Sequence, residues 1–582
     1  MDAPDNGDAA GPRPTGGEFA RGVAGAAVLI AAVTIAARTV GFGKTLVFAR
    51  TVESGCLSTA YYTANQIPTI LFEIVAGGAL ASMVVPVLAG PAARAATDAR
   101  ARTEVARITS ALLTWTVIGL VPIAAAVAIL AGPLMSIMVG APASCATGQV
   151  AAVAARMLVV FSPQVVLYGV AVVLYGVLQA HRRFLGPALA PLVSSVVVIV
   201  AYLLFVPLAD GHRDDLARLP SAAELALSVG TTLGVLALVV TVLGPMLGLR
   251  TRLRPTLRFP PGVAVRVRRL AVAGLATLLA QQAAMLVVIK LANGGGGGGA
   301  LAVYNYAWAL YQVPYAVLAV PIATSAFPVL SARMSDGDTR GFDAMAAATT
   351  RAVVLVSCAA AGVLAAVAAP VARIFLLGTH SAIAPGELAR AIVAFSPGLI
   401  GYGLIAHTGR ALYACGRGRA AASATVTGWL VVMAAQAALT LHSPRGLVVP
   451  ALGLGSTAGM TVAGVLLLVA LGRVRGRAVL SGLGRTLGAG VLGGAAGYAA
   501  GAWTATAIGP TSAAASVGVT AASALAAAVA FTLVTAAIAR RDLVAALSRT
   551  PLRRLPYLRS ARPPTPGDTR PHDDPADPAD DR

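Results

Sequence analysis

A small set of ionisable side chains lies inside long apolar stretches of the sequence. Arg38 stands near the middle of the first stretch, Lys44 lies closer to its end, and Glu73 stands near the middle of the second. Such a group costs roughly 3 kcal/mol in hydrocarbon, so it usually serves a function. The planar donor fork of arginine matches phosphate or carboxylate oxygens. We predict an anion site in which Arg38 grips the anion, Lys44 adds charge and Glu73 pairs with Arg38 when the site is empty; a purely structural ion pair is the alternative.

Polar and aromatic residues in the apolar stretches are further candidates for substrate contact: Tyr61, Tyr62, Asn305 and Gln312. Acidic residues are scarce, since none occurs between Glu387 and Asp542. Transporters that couple to H⁺ or Na⁺ commonly bind the ion with carboxylates inside the membrane, and Glu73 is the only deep candidate here. The cationic excess therefore favours an anionic substrate.

Motifs for catalysis, metal binding and nucleotide binding are lacking. Residues 41–45 read Gly-Phe-Gly-Lys-Thr, like the end of a phosphate-binding loop, but Arg38 occupies the position of the earlier glycine that such a loop requires. The acidic pair Asp214 and Asp215 falls in a predicted loop, where it would not hold a Mg²⁺-diphosphate complex inside the membrane. We expect no enzymatic activity, no cofactor and no metal ion.

The composition is that of a membrane protein. The 582 residues are 57% hydrophobic and only 12% charged, too apolar for a water-exposed surface of this size. Runs of about 20 apolar residues, the length that crosses a bilayer, predict an all-α fold of about 14 transmembrane helices. The net charge of +21 does not indicate a nucleic-acid partner, because the arginines fall in short loops between apolar runs.

Along the chain, predicted loops rich in arginine alternate with loops that contain few basic residues. Every second loop is basic, for example around Arg94, Arg183 and Arg475, whereas residues 133–148 and 294–299 contain no arginine or lysine. Basic loops stay in the cytoplasm. We therefore expect a multi-pass protein of the cytoplasmic membrane with both termini on the cytoplasmic side.

Two phrases recur along the chain. Phe-Ser-Pro-x-x-x-x-Tyr-Gly occurs at residues 161–169 and 395–403, and Gln-x-Pro occurs at residues 66–68 and 312–314. The predicted spans that separate the copies are even in number, so both copies run in the same direction. This pattern predicts two parallel six-helix halves that rock around a central site, followed by two additional helices. Chance recurrence in a low-complexity sequence is the alternative.

Proline and glycine in these stretches are candidates for gating or hinge positions, because both interrupt regular helices. They are Pro68, Pro163, Gly294, Gly299, Pro314 and Pro397. The two glycines bound a six-glycine run, which we expect to be a flexible outer connection between the halves. A low-complexity expansion without function is the alternative for that run.

The expected domain organisation has five parts. They are a disordered cytoplasmic tail at residues 1–20, a six-helix bundle at 21–250, a second six-helix bundle at 251–475, two additional helices at 476–545 and a disordered cytoplasmic tail at 546–582.

The four cysteines divide between the two sides of the predicted membrane. Cys56 and Cys145 fall in outer loops of the same half, in the oxidising compartment, whereas Cys358 and Cys415 fall within or at the inner end of spans. We expect a disulfide between Cys56 and Cys145; two free thiols are the alternative.

Several short phrases occur in an order that resembles one transporter family. Residues 37–44 read Ala-Arg-Thr-Val-Gly-Phe-Gly-Lys, residues 77–80 read Gly-Gly-Ala-Leu, and residues 177–184 read Val-Leu-Gln-Ala-His-Arg-Arg-Phe. Together they resemble the MurJ/MviN lipid II flippases of the MOP exporter superfamily, above all the actinobacterial members. The resemblance extends over about residues 20–475.

The resemblance implies a V-shaped cavity between two six-helix bundles, two extra helices, and movement of lipid II from the inner to the outer leaflet. It places Arg38 at an arginine that the family requires and Lys44 at a second family arginine. The chain departs from Gram-negative members at Glu73 and Ala309, where those members have arginines. The sodium site of the family has no counterpart in the eleventh and twelfth spans, so the resemblance does not imply ion coupling here.

The partners that follow are lipid II or a related undecaprenyl-diphosphate-linked glycan, membrane lipids, and cell-wall synthesis or division proteins. Three other functions stay open: a flippase for another polyprenyl-linked glycan, a multidrug exporter of the same superfamily, and a transport-dead scaffold. The basic first span argues against a multidrug exporter, whose cationic drugs favour an acidic cavity. A major-facilitator carrier also has parallel six-helix halves but fits fourteen helices less well.

Overall fold

The computed structural model describes residues 16–74, 81–95, 98–140, 145–213, 215–249, 253–259, 275–379, 381, 383–509 and 512–548, and the regular elements in these ranges are all helical. The α-helices are α1 (Gly16–Thr51), α2 (Cys56–Phe72), α3 (Ala81–Arg94), α4 (Ala99–Ile129), α5 (Ala131–Val139), α6 (Thr147–Phe161), α7 (Gln164–Ala180), α8 (Leu185–Leu208), α9 (Ser221–Leu247), α10 (Leu275–Gly295), α11 (Ala300–Pro314), α12 (Val320–Ser335), α13 (Thr339–Ala366), α14 (Ala368–Leu376), α15 (Pro385–Phe395), α16 (Gly398–Ala414), α17 (Gly418–Leu441), α18 (Val448–Arg475), α19 (Leu483–Ile508) and α20 (Ala513–Ser548).

The packing of the first nine helices is repeated by the next nine. α1 packs along α8 as α10 packs along α17, α2 contacts α6 as α11 contacts α15, and α8 pairs with α9 as α17 pairs with α18. We call α1–α9 the N-half and α10–α18 the C-half. This correspondence confirms the predicted all-α fold of two parallel repeats. The two additional helices, α19 and α20, pack against each other and against α13.

Each copy of the Phe-Ser-Pro phrase coincides with a break in a helix. In the N-half the break falls at Ser162 and Pro163, between α6 and α7. In the C-half it falls at Ser396 and Pro397, where α15 and α16 meet at 41°. Proline has no N–H for the helical ladder and its ring crowds the preceding turn, so the helix bends there.

Each copy of the Gln-x-Pro phrase is followed by π-helical backbone. Pro68 lies inside α2, which becomes π-helical at residues 73–74. Pro314 ends α11 and is followed by a π-helix at Tyr315–Ala319. A π-helix places one more residue in the turn than an α-helix and is frequent at functional positions. The two repeats therefore share an irregular turn in corresponding spans.

The described residues contain eleven helices that are long and apolar enough to cross a membrane, or twelve when the bent pair α15 and α16 counts as one span. The expected number of 14 is thus not confirmed. The second expected span is divided between α2 and α3, with residues 75–80 between them outside the described residues. α19 is long enough to span, but it is rich in glycine, which lowers its hydropathy.

α1 begins at Gly16, within the range expected for the N-terminal tail. Extending a helix that is already nucleated costs little, since each added residue adds a hydrogen bond. Residues 1–15 of this tail, and residues 549–582 of the expected C-terminal tail, lie outside the described residues.

Candidate functional site

The two halves meet at the end of the molecule that carries Cys56 and Cys145, which we call the disulfide end. Asn293 of α10 donates a hydrogen bond from Nδ2 to Thr63 Oγ1 of α2 at 2.9 Å. The backbone N–H of Gly299 donates to Thr59 Oγ1 at 2.7 Å. We call the contact between the halves the seam. It comprises residues 50–63 and 137–138 of the N-half and residues 290–299, 377–379 and 381 of the C-half.

Two basic side chains add charged hydrogen bonds to the seam. Lys290 of α10 donates from Nζ to the carbonyl of Ile137 at 2.7 Å, and Arg50 of α1 donates from Nη1 to the carbonyl of Leu377 at 2.7 Å. Ile137 lies in the last turn of α5, where carbonyl groups lack helical partners and carry partial negative charge. Lys290 therefore caps a helix of the opposite half.

Gly299 lies at the tightest point of the seam. Its φ is +87°, in the region that residues with a side chain rarely adopt, and a Cβ atom there would lie 2.4 Å from the carbonyl oxygen of Ser54. Only glycine permits this approach of the two backbones. The glycine run, expected to be a flexible connection, thus contains at least one position whose role is close packing.

A disulfide lies beside the seam. It joins Cys56, the first residue of α2, to Cys145, which precedes α6, with an S–S distance of 1.96 Å and a Cα–Cα distance of 5.8 Å. The bond ties two connections of the N-half together at the point where the C-half contacts them. Cys358 and Cys415 are free thiols.

The opposite end of the molecule carries Arg94, Arg183 and Arg475, and we call it the basic end. One apolar core at the disulfide end contains residues of both halves. Towards the basic end each half has a separate core, built from α3, α4, α7 and α9 in the N-half and from α12, α13 and α16–α18 in the C-half. The halves therefore diverge, and the cleft between them opens at the basic end.

Arg38 projects from the side of α1 that faces the C-half. Its side chain is exposed. It lies one turn before Phe42, and residues four apart share a helix face. The ring of Phe42 contacts that of Phe375 in the C-half, with centroids 5.8 Å apart. The exposed guanidinium thus lies on the face of α1 that contacts the C-half one turn further along the helix.

Lys44 lies on a different side of α1 from Arg38. Lys44 follows Arg38 by six residues, which amounts to about one and two-thirds helical turns, so the two side chains point in different directions around the helix axis. Lys44 is half-buried and shares its side of the helix with Gly41, which approaches Ser195 of α8, and with Phe48, which packs on Tyr61. It therefore faces the interior of the N-half.

Glu73 lies at the π-helical end of α2, where it is half-buried. Its carboxylate is close enough for its charge to act on Tyr168 of α7 and on Tyr402 of α16. One residue before it, the ring of Phe72 packs on that of Tyr168 with centroids 4.4 Å apart. Glu73 thus follows a residue that packs on Tyr168 of the N-half, and its charge reaches Tyr402 of the C-half.

The expected ion pair between Arg38 and Glu73 is not present in the part of the chain that the structure describes, since no nitrogen of one lies within 4.0 Å of an oxygen of the other. The physical reason is the packing of the helices: α1 packs chiefly along α8, whereas α2 packs chiefly against α6. The two side chains form no ion pair with each other in this conformation.

The two tyrosines proposed to contact substrate from α2 are part of the packing at the disulfide end. Tyr61 is buried, and its hydroxyl is hydrogen-bonded to Tyr202 at 2.7 Å and to Thr231 at 2.8 Å. Tyr62 is half-buried, and its ring contacts that of Tyr306 across the seam with centroids 6.3 Å apart. This geometry supports a packing role for both residues.

Asn305 and Gln312 lie on α11 and are both half-buried. Asn305 donates from Nδ2 to the carbonyl of Leu301 in its own helix at 2.7 Å. The Oε1 atom of Gln312 is buried and has no hydrogen-bond partner among the described residues. Gln312 therefore retains an unused acceptor.

Tyr168 and Tyr402 were not among the residues expected to form the site, although both belong to the repeated Phe-Ser-Pro-x-x-x-x-Tyr-Gly phrase. Each follows a proline break by five residues, and each lies near Glu73. The repeated phrase could have indicated both residues, because the tyrosine is the polar residue that the two copies share after the helix break.

A family model described as "Lipid II flippase MurJ" matches residues 48–538. Arg38 and Lys44 precede the matched range. Among solved structures, one of a lipid II flippase MurJ in an inward closed conformation is similar with a TM-score of 0.67 and 15% identity, over 89% of this chain and 100% of that chain.

Multidrug transporters also have a similar fold. A structure of a MATE family transporter of the MOP superfamily in an inward-facing conformation gives a TM-score of 0.62 at 18% identity, over 76% of this chain and 95% of that chain. An outward-facing structure of a MATE family transporter gives a TM-score of 0.52 at 19% identity, over 77% of this chain and 96% of that chain. These likenesses show a shared fold.

Proposed function

Since the chain belongs to the MurJ family of lipid II flippases, we propose that it carries lipid II, undecaprenyl diphosphate bearing the peptidoglycan disaccharide-pentapeptide, from the inner to the outer leaflet by alternating access. A diphosphate with sugars does not cross hydrocarbon unaided, because its charges would lose their water. A cleft with cationic and polar groups replaces that water, while the prenyl chain stays in lipid. The observation that carries this proposal is the exposed Arg38 on the cleft side of α1, in a cleft that is closed at one end.

We place the basic end in the cytoplasm and the disulfide end outside the cytoplasmic membrane. The arginine-rich loops support this orientation, and the disulfide fits the oxidising outer compartment. The conformation is then inward-open, so the diphosphate enters from the inner leaflet. An inside-negative potential pulls a positively charged site towards the cytoplasm by about 2.3 kcal/mol per charge per 100 mV, which favours the return of the empty carrier.

Arg38 grips the diphosphate in this account, and Glu73 faces the same cleft from α2. Because the two are not paired, Arg38 is available to substrate in the inward-open state. The basic loops at the cytoplasmic surface would provide contacts for enzymes that make or use lipid II. Co-purification of such enzymes with the wild-type chain, and their loss when loop arginines are neutralised, would test this partner proposal.

We expect Arg38→Ala to abolish flipping of lipid II in reconstituted vesicles and Arg38→Lys to lower its rate by at least about tenfold. A lysine keeps the charge but loses the planar fork, and a charge-assisted hydrogen bond contributes roughly 1.5–3 kcal/mol. The measurement is the amount of lipid II that becomes accessible to an external reagent over time.

The matched control is Arg419→Ala, which removes an exposed arginine from the first turn of α17 at the basic end. This variant should flip at the wild-type rate. Unchanged flipping by Arg38→Ala, in protein that is folded and correctly inserted, would contradict the role of Arg38.

Export of organic cations is the second candidate, because the fold is also that of multidrug transporters. Arg38 on the cleft side of α1 disfavours it, since a cation would be repelled. Vesicles that expel a cationic dye yet leave lipid II in its original leaflet would support this candidate over the first.

A further inference from the structure

The C-half contains a continuous series of aromatic rings, which we call the aromatic ladder. Centroids are 6.4 Å apart between Tyr304 and Trp308 and 5.3 Å apart between Trp308 and Tyr311. They are 5.7 Å apart between Tyr311 and Tyr402 and 3.9 Å apart between Tyr402 and Tyr315. The four residues from α11 and the following π-helix are three or four positions apart, so they lie along one face.

One part of the ladder is core and the other is accessible. Tyr304 and Tyr311 are buried, whereas Trp308, Tyr315 and Tyr402 are only half-buried. An apolar cluster that joins α10, α17 and α18 packs against Trp308 and Tyr402, and Tyr315 packs against the larger core at the disulfide end. The accessible rings therefore form a rigid surface.

This surface includes polar and charged groups as well as rings. Tyr402 is close enough to Glu73 of the N-half for the carboxylate charge to act on it. Arg410, two turns along α16 and half-buried, is close enough for its charge to act on Tyr315. The unused acceptor of Gln312 belongs to the same stretch of α11. Ring faces, hydroxyl groups, an amide and a guanidinium thus occur together.

Comparison of the two halves shows that most of the aromatic ladder is specific to the C-half. With Gln66 aligned to Gln312, the four positions of α11 and the π-helix correspond in the N-half to Ser58, Tyr62, Asn65 and Thr69. Only one of these is aromatic, and it packs at the seam. Three of the four ladder positions on α11 and the π-helix are therefore small polar residues in the N-half, although Tyr168 corresponds to Tyr402.

Tyr315 owes its position to the π-helix that it begins. The irregular turn after Pro314 brings its ring to 3.9 Å from that of Tyr402, the shortest ring distance among the described residues. Such turns often occur where a side chain has a function, because they change its direction at a cost in helical hydrogen bonding.

A sugar is the ligand that this combination fits. The faces of aromatic rings carry partial negative charge and attract the weakly positive C–H groups on one side of a pyranose ring. Neighbouring hydroxyl, amide and guanidinium groups bind its hydroxyl and acetamido groups. A second phosphate site would require cations in place of the rings.

We propose that Trp308, Tyr315 and Tyr402 bind the sugar portion of the lipid-linked substrate by stacking, while Arg38 on the opposite wall holds the diphosphate. This inference rests on the proposed function and adds that the two halves bind different parts of the substrate. The C-half then distinguishes a glycosylated lipid from the bare polyprenyl diphosphate, which has the same tail and a diphosphate head but lacks the sugars and the peptide.

The test compares two ligands, lipid II and undecaprenyl diphosphate, bound to the purified full-length protein in detergent. Tyr402→Leu and Tyr315→Leu should each weaken lipid II binding by about tenfold and leave binding of undecaprenyl diphosphate within about twofold of wild type. Tyr402→Phe, which keeps the ring, should retain most of the affinity for lipid II. The control is Tyr413→Leu, which removes a tyrosine of α16 that is 54% exposed and should change neither affinity.

Equal loss of both ligands in the leucine variants, or unchanged binding of lipid II, would overturn the sugar site while leaving the proposed function standing. Thermal unfolding of each variant separates loss of binding from loss of folding, and Tyr402→Phe covers the case in which the leucine variants do not fold. Failure of the wild-type chain to bind either lipid would overturn the proposed function itself.

Discussion

Two glycines at the ends of one glycine run have different surroundings, although the sequence gives both the same expected role. Gly294 lies in the last turn of α10 with no atom within 4 Å of the position where a Cβ would be. Gly299 has a positive φ and lies against Ser54. Only the second is required by the seam.

We expect Gly299→Ala to weaken the seam by about 1–2 kcal/mol, because a side chain is disfavoured at this φ and its Cβ would meet the Ser54 carbonyl. A cysteine introduced at Thr63, which is buried in the seam, should then react faster with a thiol reagent. Gly294→Ala is the matched control and should leave that rate unchanged. Equal rates in the two variants would show that Gly299 does not hold the seam closed.

The sequence predicts an anion site at Arg38 but does not predict the packing of its neighbours. A charged residue inside an apolar span could be recognised from the cost of burying it. The relation of Arg38 to Glu73 depends on which helices pack together, α1 on α8 and α2 on α6, and this is a tertiary property. The aromatic ladder was missed for a similar reason, since its rings come from α11, the π-helix and α16.

At the scale of elements, the repeated phrases predicted where the helices break. Both Phe-Ser-Pro copies mark a break, and both Gln-x-Pro copies precede π-helical backbone, because proline interrupts the helical ladder wherever it lies in a span. The number of spans was less predictable. Hydropathy does not determine whether a glycine-rich helix such as α19, or a divided one such as α2 and α3, crosses the membrane.

The proposed orientation of the helices predicts from which side of the membrane each connection between helices is accessible. Leu257 lies in the segment before α10. This segment packs against α4 through a hydrogen bond from Arg254 N–H to Ser110 Oγ at 3.0 Å. His442 lies between α17 and α18 at the disulfide end. A cysteine at Leu257 should react with an impermeant thiol reagent only from the cytoplasmic side, and one at His442 only from outside. Both cysteines should be introduced into a chain that carries Cys358→Ala and Cys415→Ala. The opposite labelling pattern would show that the proposed orientation is wrong.

At the scale of the whole molecule, the two halves form one transporter because they contact each other at one end and separate at the other. Hydrogen bonds such as Asn293 to Thr63 and Lys290 to Ile137 cross the seam, beside the apolar core that both halves share. Each hydrogen bond contributes about 1 kcal/mol, or somewhat more when charged. We expect the two conformations to lie close in energy. Alternating access requires such a balance, which substrate then shifts.

The most direct test of this account is flipping of lipid II with the seam locked. Thr63→Cys and Asn293→Cys place two thiols at side chains that are in hydrogen-bond contact, and a short methanethiosulfonate cross-linker would join the halves in the inward-open state. The background carries Cys358→Ala and Cys415→Ala, and the single-cysteine variants and the wild type receive the same reagents as controls. We expect flipping in vesicles to stop on cross-linking and to return on reduction. Flipping that continues at an unchanged rate with the seam fully cross-linked would contradict alternating access through this cleft.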